Sequence, residues 1–159
     1  MTELIQASTP DEIAAARELF REYETSLGLD LCFQGFEEEL STLPGRYAPP
    51  DGRLILLLDD DEHAGCVAMR KLDEGVCEMK RLYLRPNFRG RGLGNRLIEK
   101  VIAEARAAGY RTMRLDTLPP KMGKAVSIYT SYGFRPIQPY YDNPHEGVLF
   151  MELDLAENN

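Results

Sequence analysis

Val76-Cys77-Glu78-Met79-Lys80-Arg81-Leu82-Tyr83-Leu84, followed after a proline-containing step by Arg89-Gly90-Arg91-Gly92-Leu93-Gly94-Asn95, is the stretch on which the reading of this chain turns. The first segment alternates well enough for a strand, with the facing of Cys77, Met79 and Leu82 set by whatever bulge the strand carries. Pro86 ends it. The second segment leads into a helix whose apolar positions, Leu93, Leu97, Ile98, Val101, Ile102 and Ala105, follow a helical period, with Gly109 as a left-handed stop. Tyr110 to Thr117 is a further strand. Strand, glycine turn, helix, strand over residues 76 to 117 is a βαβ unit, so this part of the sheet is parallel and its crossover right-handed.

The turn itself carries chemistry. Alternate glycines ahead of a helix let the backbone approach a ligand, because no Cβ blocks it and left-handed dihedrals cost little. The first amides of that helix have no intrahelical acceptor and lie at the positive end of its dipole, which makes an anion site suited to a pyrophosphate. Arg89 and Arg91 add fork-shaped donors. The alternative is a plain flexible connector. Two familiar phosphate motifs do not fit: one requires G-x-G-x-x-G and the other ends in G-K-[ST], whereas this turn reads G-R-G-L-G-N.

On the N-terminal side of this unit, Leu4 to Ala7 reads as a short strand and residues 11 to 26 as an amphipathic helix opened by Thr9-Pro10-Asp11-Glu12. Phe36 to Thr42 reads as a second, shorter helix. Arg53 to Leu58 and Ala64 to Leu72 form an antiparallel pair around an acidic turn at residues 59 to 62. On the C-terminal side, Pro119-Pro120 reads as a loop, Lys124 to Tyr132 as a helix ended by Gly133, and Val148 to Leu155 as the closing strand. No repeat or interdomain linker interrupts this order, so residues 1 to 159 are expected to form a single domain.

Composition bounds the function. With 43% hydrophobic and 28% charged residues in 159, the chain has a globular balance. Its longest aliphatic run, Leu54 to Leu58, is far short of the ~20 residues that cross a bilayer. Three cysteines without C-x-x-C spacing suit reduced thiols, and the first residues lack the pattern of a secretion signal, so a cytoplasmic protein without membrane contact is expected. His63 and His145 make no metal motif. The net charge of −7 argues against a nucleic-acid partner, yet residues 78 to 114 hold ten basic residues against three acidic ones. A basic island built around glycines in an acidic chain suggests one discrete anionic ligand. A helix with a basic solvated face is the other reading.

The turn after E-M-K-R-L-Y-L, together with the later Ile128-Tyr129-Thr130-Ser131-Tyr132-Gly133-Phe134, resembles the R/Q-x-x-G-x-G/A signature and the "LY…GF" segment of the GNAT N-acetyltransferase superfamily. The resemblance covers essentially the whole chain. It implies an α/β fold with a mixed V-shaped sheet of six to seven strands and about four helices, with acetyl-CoA as co-substrate and no metal. It further implies that the pantetheine arm lies along Leu82, Tyr83 and Leu84, and that the pyrophosphate sits on Arg89, Gly90, Arg91, Gly92, Leu93, Gly94 and Asn95.

Acetyl transfer from a thioester needs a neutral amine, a polarised carbonyl and a proton for the departing thiolate. By resemblance Tyr129 is the general acid, with Tyr132 on the same helix as its rival, and Glu78 takes the amine's proton directly or through water. A backbone N–H at Leu82 would polarise the carbonyl. Tyr129 packed in the core and Glu78 as an idle strand residue are the alternatives. The resemblance places the acceptor pocket at Leu29 to Phe36 and Gln138 to Glu146, where Phe33, Tyr140, Tyr141 and Asn143 suit a small polar amine or an amino-acid-like acceptor, although turn-forming loops would use the same residues. A protein lysine or N-terminal acceptor, a non-turning-over acyl-CoA sensor and a nucleic-acid module are the rival functions. A homodimer is compatible with the sequence, which does not choose its interface.

Overall fold

The computed structural model describes residues 1–28, 35–117, 119–143 and 147–156, with backbone alone for 119–124. In chain order the elements are β1 (Thr2–Gln6), α1 (Pro10–Leu27), α2 (Phe36–Thr42), β2 (Arg53–Asp59), β3 (Glu62–Asp73), β4 (Val76–Leu84), α3 (Leu93–Ala107), β5 (Thr112–Thr117), α4 (Pro119–Ser131), β6 (Arg135–Ile137) and β7 (Leu149–Asp154). The strands form one sheet in the order β1-β2-β3-β4-β5-β7-β6. All neighbours are antiparallel except β4 and β5. The mixed sheet with four α-helices agrees with the expected fold class.

Local chemistry explains the elements. Thr9 caps α1 through a capping box with Glu12, Pro10 takes the first helical turn, where its missing N–H costs nothing, and Gly28 closes the helix in the left-handed region. The reading of Pro119-Pro120 as a loop is corrected by the same logic: the prolines open α4 instead of preceding it. The sequence gives no sign of β6, because its three residues, Arg135-Pro136-Ile137, are too few to show a period.

Two apolar cores flank the sheet. On one face Leu93, Leu97, Ile98, Val101, Ile102 and Ala105 of α3, with Tyr129 of α4, pack on Val67, Met69, Cys77, Met79, Met113 and Leu115. On the other, Phe20, Leu19 and Ala16 of α1 and Phe36 and Leu40 of α2 pack on Leu54, Leu56, Cys66 and Ala68. Burying each large aliphatic side chain contributes about 1.5–3 kcal/mol, so both helix layers are held by their apolar stripes. Cys66 and Cys77 are buried free thiols, and burial pushes both pKa values up, Cys77 to about 12.

Two irregularities set the course of β4. Its parallel pairing with β5 is limited to Val76–Thr112, Cys77–Met113 and Glu78–Arg114, after which the strands part and leave a wedge. Its pairing with β3 slips between Cys66 and Ala68, and Arg81, at the slip, has φ +62°. Left-handed backbone is uncommon for a non-glycine residue and costs of order 1–3 kcal/mol. The environment holds it there: the buried Arg81 guanidinium donates to both oxygens of Glu39, at 2.9 and 3.0 Å, and lies over the rings of Phe36 and Tyr23. Opposite the bulge, a Cβ on Gly65 would come within 2.4 Å of the Tyr83 carbonyl oxygen, so β3 approaches this closely only without a side chain.

Candidate active site

β4 passes from its bulge through the short turn Pro86–Phe88 into the glycine turn. Gly90 and Gly92 have φ +82° and +75°, values that glycine adopts freely. Gly92 is the N-cap of α3 and supplies no side-chain cap, so the amides of the first turn are left for another acceptor. A Cβ at Gly90, Gly92 or Gly94 would meet nothing within 4 Å. Gly94 is the informative case: its backbone is helical and its surroundings are open, so neither conformation nor packing within the protein calls for glycine there. A ligand lying against the helix end would.

The arginines of the turn are partly engaged. Arg91 donates to Asp59 at 2.8 Å and holds its carboxyl below the usual range, while Arg89 Nε donates to the Leu84 carbonyl at 2.9 Å with its guanidinium over Tyr83. Tyr83 in turn donates to Glu22, which also binds Arg85. Leu82 and Leu84 lean on the α3-side core. Asn95 is exposed in the first turn of α3, and Leu93 is buried beneath it. Beyond Glu78 no described strand covers the β5-facing edge of β4.

On the opposite face of the sheet the same strands carry charge. Glu78, 1% exposed, receives Arg70 Nε at 2.9 Å and the Tyr140 hydroxyl at 2.7 Å, with Lys80 Nζ at 3.9 Å. Burial pushes its pKa up, but Lys80, Arg70 and the two hydrogen bonds outweigh burial and hold the carboxyl below its ordinary value. Arg114, its neighbour on β5, pairs with Glu152 and lies under the Tyr140 ring. Asp116, two residues along β5, accepts from the Tyr141 hydroxyl and from Asn143 Nδ2. Tyr140 and Tyr141 pack edge-on against Phe150 and so roof this wall. Behind Arg70 lies a cavity of about 390 Å³ lined by Glu38, Glu39, Thr42, Arg46 and Tyr47 among others.

Tyr129 is buried in the α3-side core, tilted against Phe134 at 5.6 Å, and burial raises its pKa, with Tyr23 and Asp116 adding to the effect. Those two residues belong to the other face of the sheet. The Tyr132 hydroxyl donates to Glu99 of α3 at 2.7 Å. Phe33 lies outside the described residues. The structure thus brings Glu78, Tyr140, Tyr141 and Asn143 together and sets the glycine turn at the far end of the same strand. Sequence reasoning does not mark Arg70, Lys80, Arg114 or Asp116 as site residues. Spacing could have found Lys80, two residues from Glu78 on the same face.

Residues 13–134 match the family model described as acetyltransferase (GNAT) family. The chain is 40% identical to an uncharacterized N-acetyltransferase of Schizosaccharomyces pombe, over 93% of this chain and 91% of that one. Among solved structures, a GNAT acetyltransferase of Staphylococcus aureus superposes with TM-score 0.80 at 18% identity, covering 98% of this chain and 99% of that chain. An acetyltransferase of Salmonella typhimurium solved with acetyl-CoA gives TM-score 0.71 at 18% identity, covering 99% and 95%. The chain therefore belongs to the GNAT family of acetyltransferases. It is an N-acetyltransferase.

Proposed function

We propose that this enzyme moves the acetyl group of acetyl-CoA to the primary amine of a small polar molecule or amino-acid-like acceptor, by direct attack within a ternary complex. The carrying observation is the Tyr140–Glu78 hydrogen bond, with Tyr141 and Asn143 closing over Asp116 beside it. A roofed, charged wall admits a small acceptor more readily than a protein segment, which needs an open groove.

In this reading the uncapped amides of Leu93, Gly94 and Asn95, with Arg89, Gly90, Arg91 and Gly92, receive the pyrophosphate, and the free edge of β4 at Leu82, Tyr83 and Leu84 receives the pantetheine arm. The fit rests on the open space over the three glycines and on the parting of β4 from β5. The Leu82 amide polarises the thioester carbonyl. Glu78, ionised throughout the neutral range, accepts the amine's hydrogen bond and relays its proton through water. The amine nitrogen bonds to the acetyl carbon, the carbon–sulfur bond breaks, and Tyr129 gives its proton to the thiolate. Burial keeps Tyr129 protonated until that moment.

An amine panel with acetyl-CoA, followed by thiol release and by the mass of the product, tests the reading. Acetylation of small amines with measurable kcat/KM supports it. Turnover confined to peptide or protein acceptors, or thiol release without an acetylated amine, overturns it.

A further inference from the structure

Among the described residues, every charged group on the roofed wall has a close hydrogen-bonded partner except one. Arg70 is satisfied by Glu78, Arg81 by Glu39, Arg114 by Glu152, and Asp116 by Tyr141 and Asn143. Lys80 is the exception. Its side chain is 3% exposed, makes no hydrogen bond among the described residues, and reaches one carboxylate, Glu78, at 3.9 Å. That carboxylate already accepts from Arg70 and Tyr140. An ammonium has three donors, and leaving them unmet in a buried position is expensive.

The position of Lys80 says what could meet them. It follows by two the last residue of β4 that pairs with β5 and precedes the bulge at Arg81, so it stands where β4 and β5 have parted. Among the described residues, Tyr47 Oη and His63 Nδ1 are also buried without a hydrogen-bond partner, but neither lies beside Glu78. Burial lowers its pKa, and Arg81 and Arg70 add to this against the opposing fields of Glu78 and Asp116. An anion arriving beside Lys80 would supply an acceptor for its donors.

We infer that Lys80 binds a carboxylate of the acceptor, so that the molecule acetylated by this enzyme is an amino acid or a close amino-carboxylate. A monoanion fits better than a phosphate, because Glu78, 3.9 Å from the ammonium, repels a second negative charge. An acceptor carrying an amine and a carboxylate close together matches a wall on which Lys80 stands beside Glu78. This specificity role rests on the small-amine reading above.

The experiment uses pairs that differ by one carboxylate: phenylalanine and phenethylamine, leucine and isoamylamine, lysine and cadaverine. For each, kcat/KM is measured with acetyl-CoA, and binding to the CoA-saturated protein by calorimetry. The expected result is a preference for the carboxylate-bearing member of about ten- to a hundred-fold, the range for a hydrogen bond to a charged group. Lys80→Met brings the ratio near one, and Lys80→Arg keeps its direction. A merely structural lysine would lower both members alike and leave the ratio standing. Equal kcat/KM across wild-type pairs, a ratio that survives Lys80→Met, or no binding of any carboxylate-bearing member by the CoA-loaded wild-type protein overturns the inference. If Lys80→Met does not fold, the wild-type ratios and binding decide. Failure of wild type to bind CoA instead overturns the small-amine reading, whereas turnover of the decarboxylated amines alone spares that reading and removes the carboxylate.

Discussion

The glycine turn and the charged wall sit at opposite ends of β4 and are built in opposite ways. The turn is made of backbone: seven consecutive residues, two left-handed glycines and the uncapped end of α3. The wall is made of side chains from β3, β4, β5, β7 and the segment at Tyr140 to Asn143, tied by hydrogen bonds between residues as far apart as Glu78 and Tyr140. A site made of amides keeps its ligand class whatever else the protein does, because every backbone offers the same donors. A site made of side chains is where one acetyltransferase can differ from the next.

Four measurements put that contrast at risk. Tyr129→Phe, which touches the reacting sulfur in the proposed mechanism and neither region directly, should lower kcat about a hundred- to ten-thousand-fold with the KM for acetyl-CoA kept. A variant with full turnover would move the proton source elsewhere. Gly94→Leu should weaken CoA binding about a hundred-fold or more while leaving the melting temperature unchanged or higher, since residue 94 is helical and its Cβ meets nothing. Unchanged affinity by calorimetry would take the turn out of the site.

On the wall, Tyr140→Phe removes the hydroxyl that reaches Glu78 and should cost about ten-fold in kcat/KM for the amine, with CoA affinity intact. Equal losses for both substrates would contradict separate regions. The smallest effect is on acid stability. Glu78 has a folded pKa below its ordinary 4.5, so the native state binds fewer protons than the unfolded chain. The stability it supplies is complete above that value and declines as pH falls through the folded one. The melting-temperature gap between wild type and Glu78→Gln should therefore narrow between about pH 6 and pH 3. A constant gap would show that the carboxylate contributes shape and no charge.

The same contrast explains which features are legible in the sequence. β4 is legible because Val76 to Leu84 alternates and Pro86 stops it, and α3 because six apolar residues recur on one stripe. The turn between them declares its chemistry through its glycines. The roles of Tyr129 and Glu78 rest on resemblance and are decided by the substitutions above. The company Glu78 keeps is not legible. Arg70 faces it across a strand pair, and Tyr140 reaches it from 62 residues away. The alternation allows for a bulge near Leu82 without locating it, since nothing in the string E-M-K-R-L-Y-L distinguishes Arg81 as the residue that takes φ +62°.

By itself, then, the order of residues determined the βαβ unit, the family and a glycine turn at an uncapped helix end, because period, proline, glycine and the unsatisfied amides of a first turn are all local. Only the tertiary structure decided that β4 and β5 part after Glu78, that Tyr132 turns to Glu99, and that Lys80, among the described residues, is left without a hydrogen bond on a wall where its neighbours are matched. Charge pairing depends on distances between strands, and those distances exist only once the sheet has closed.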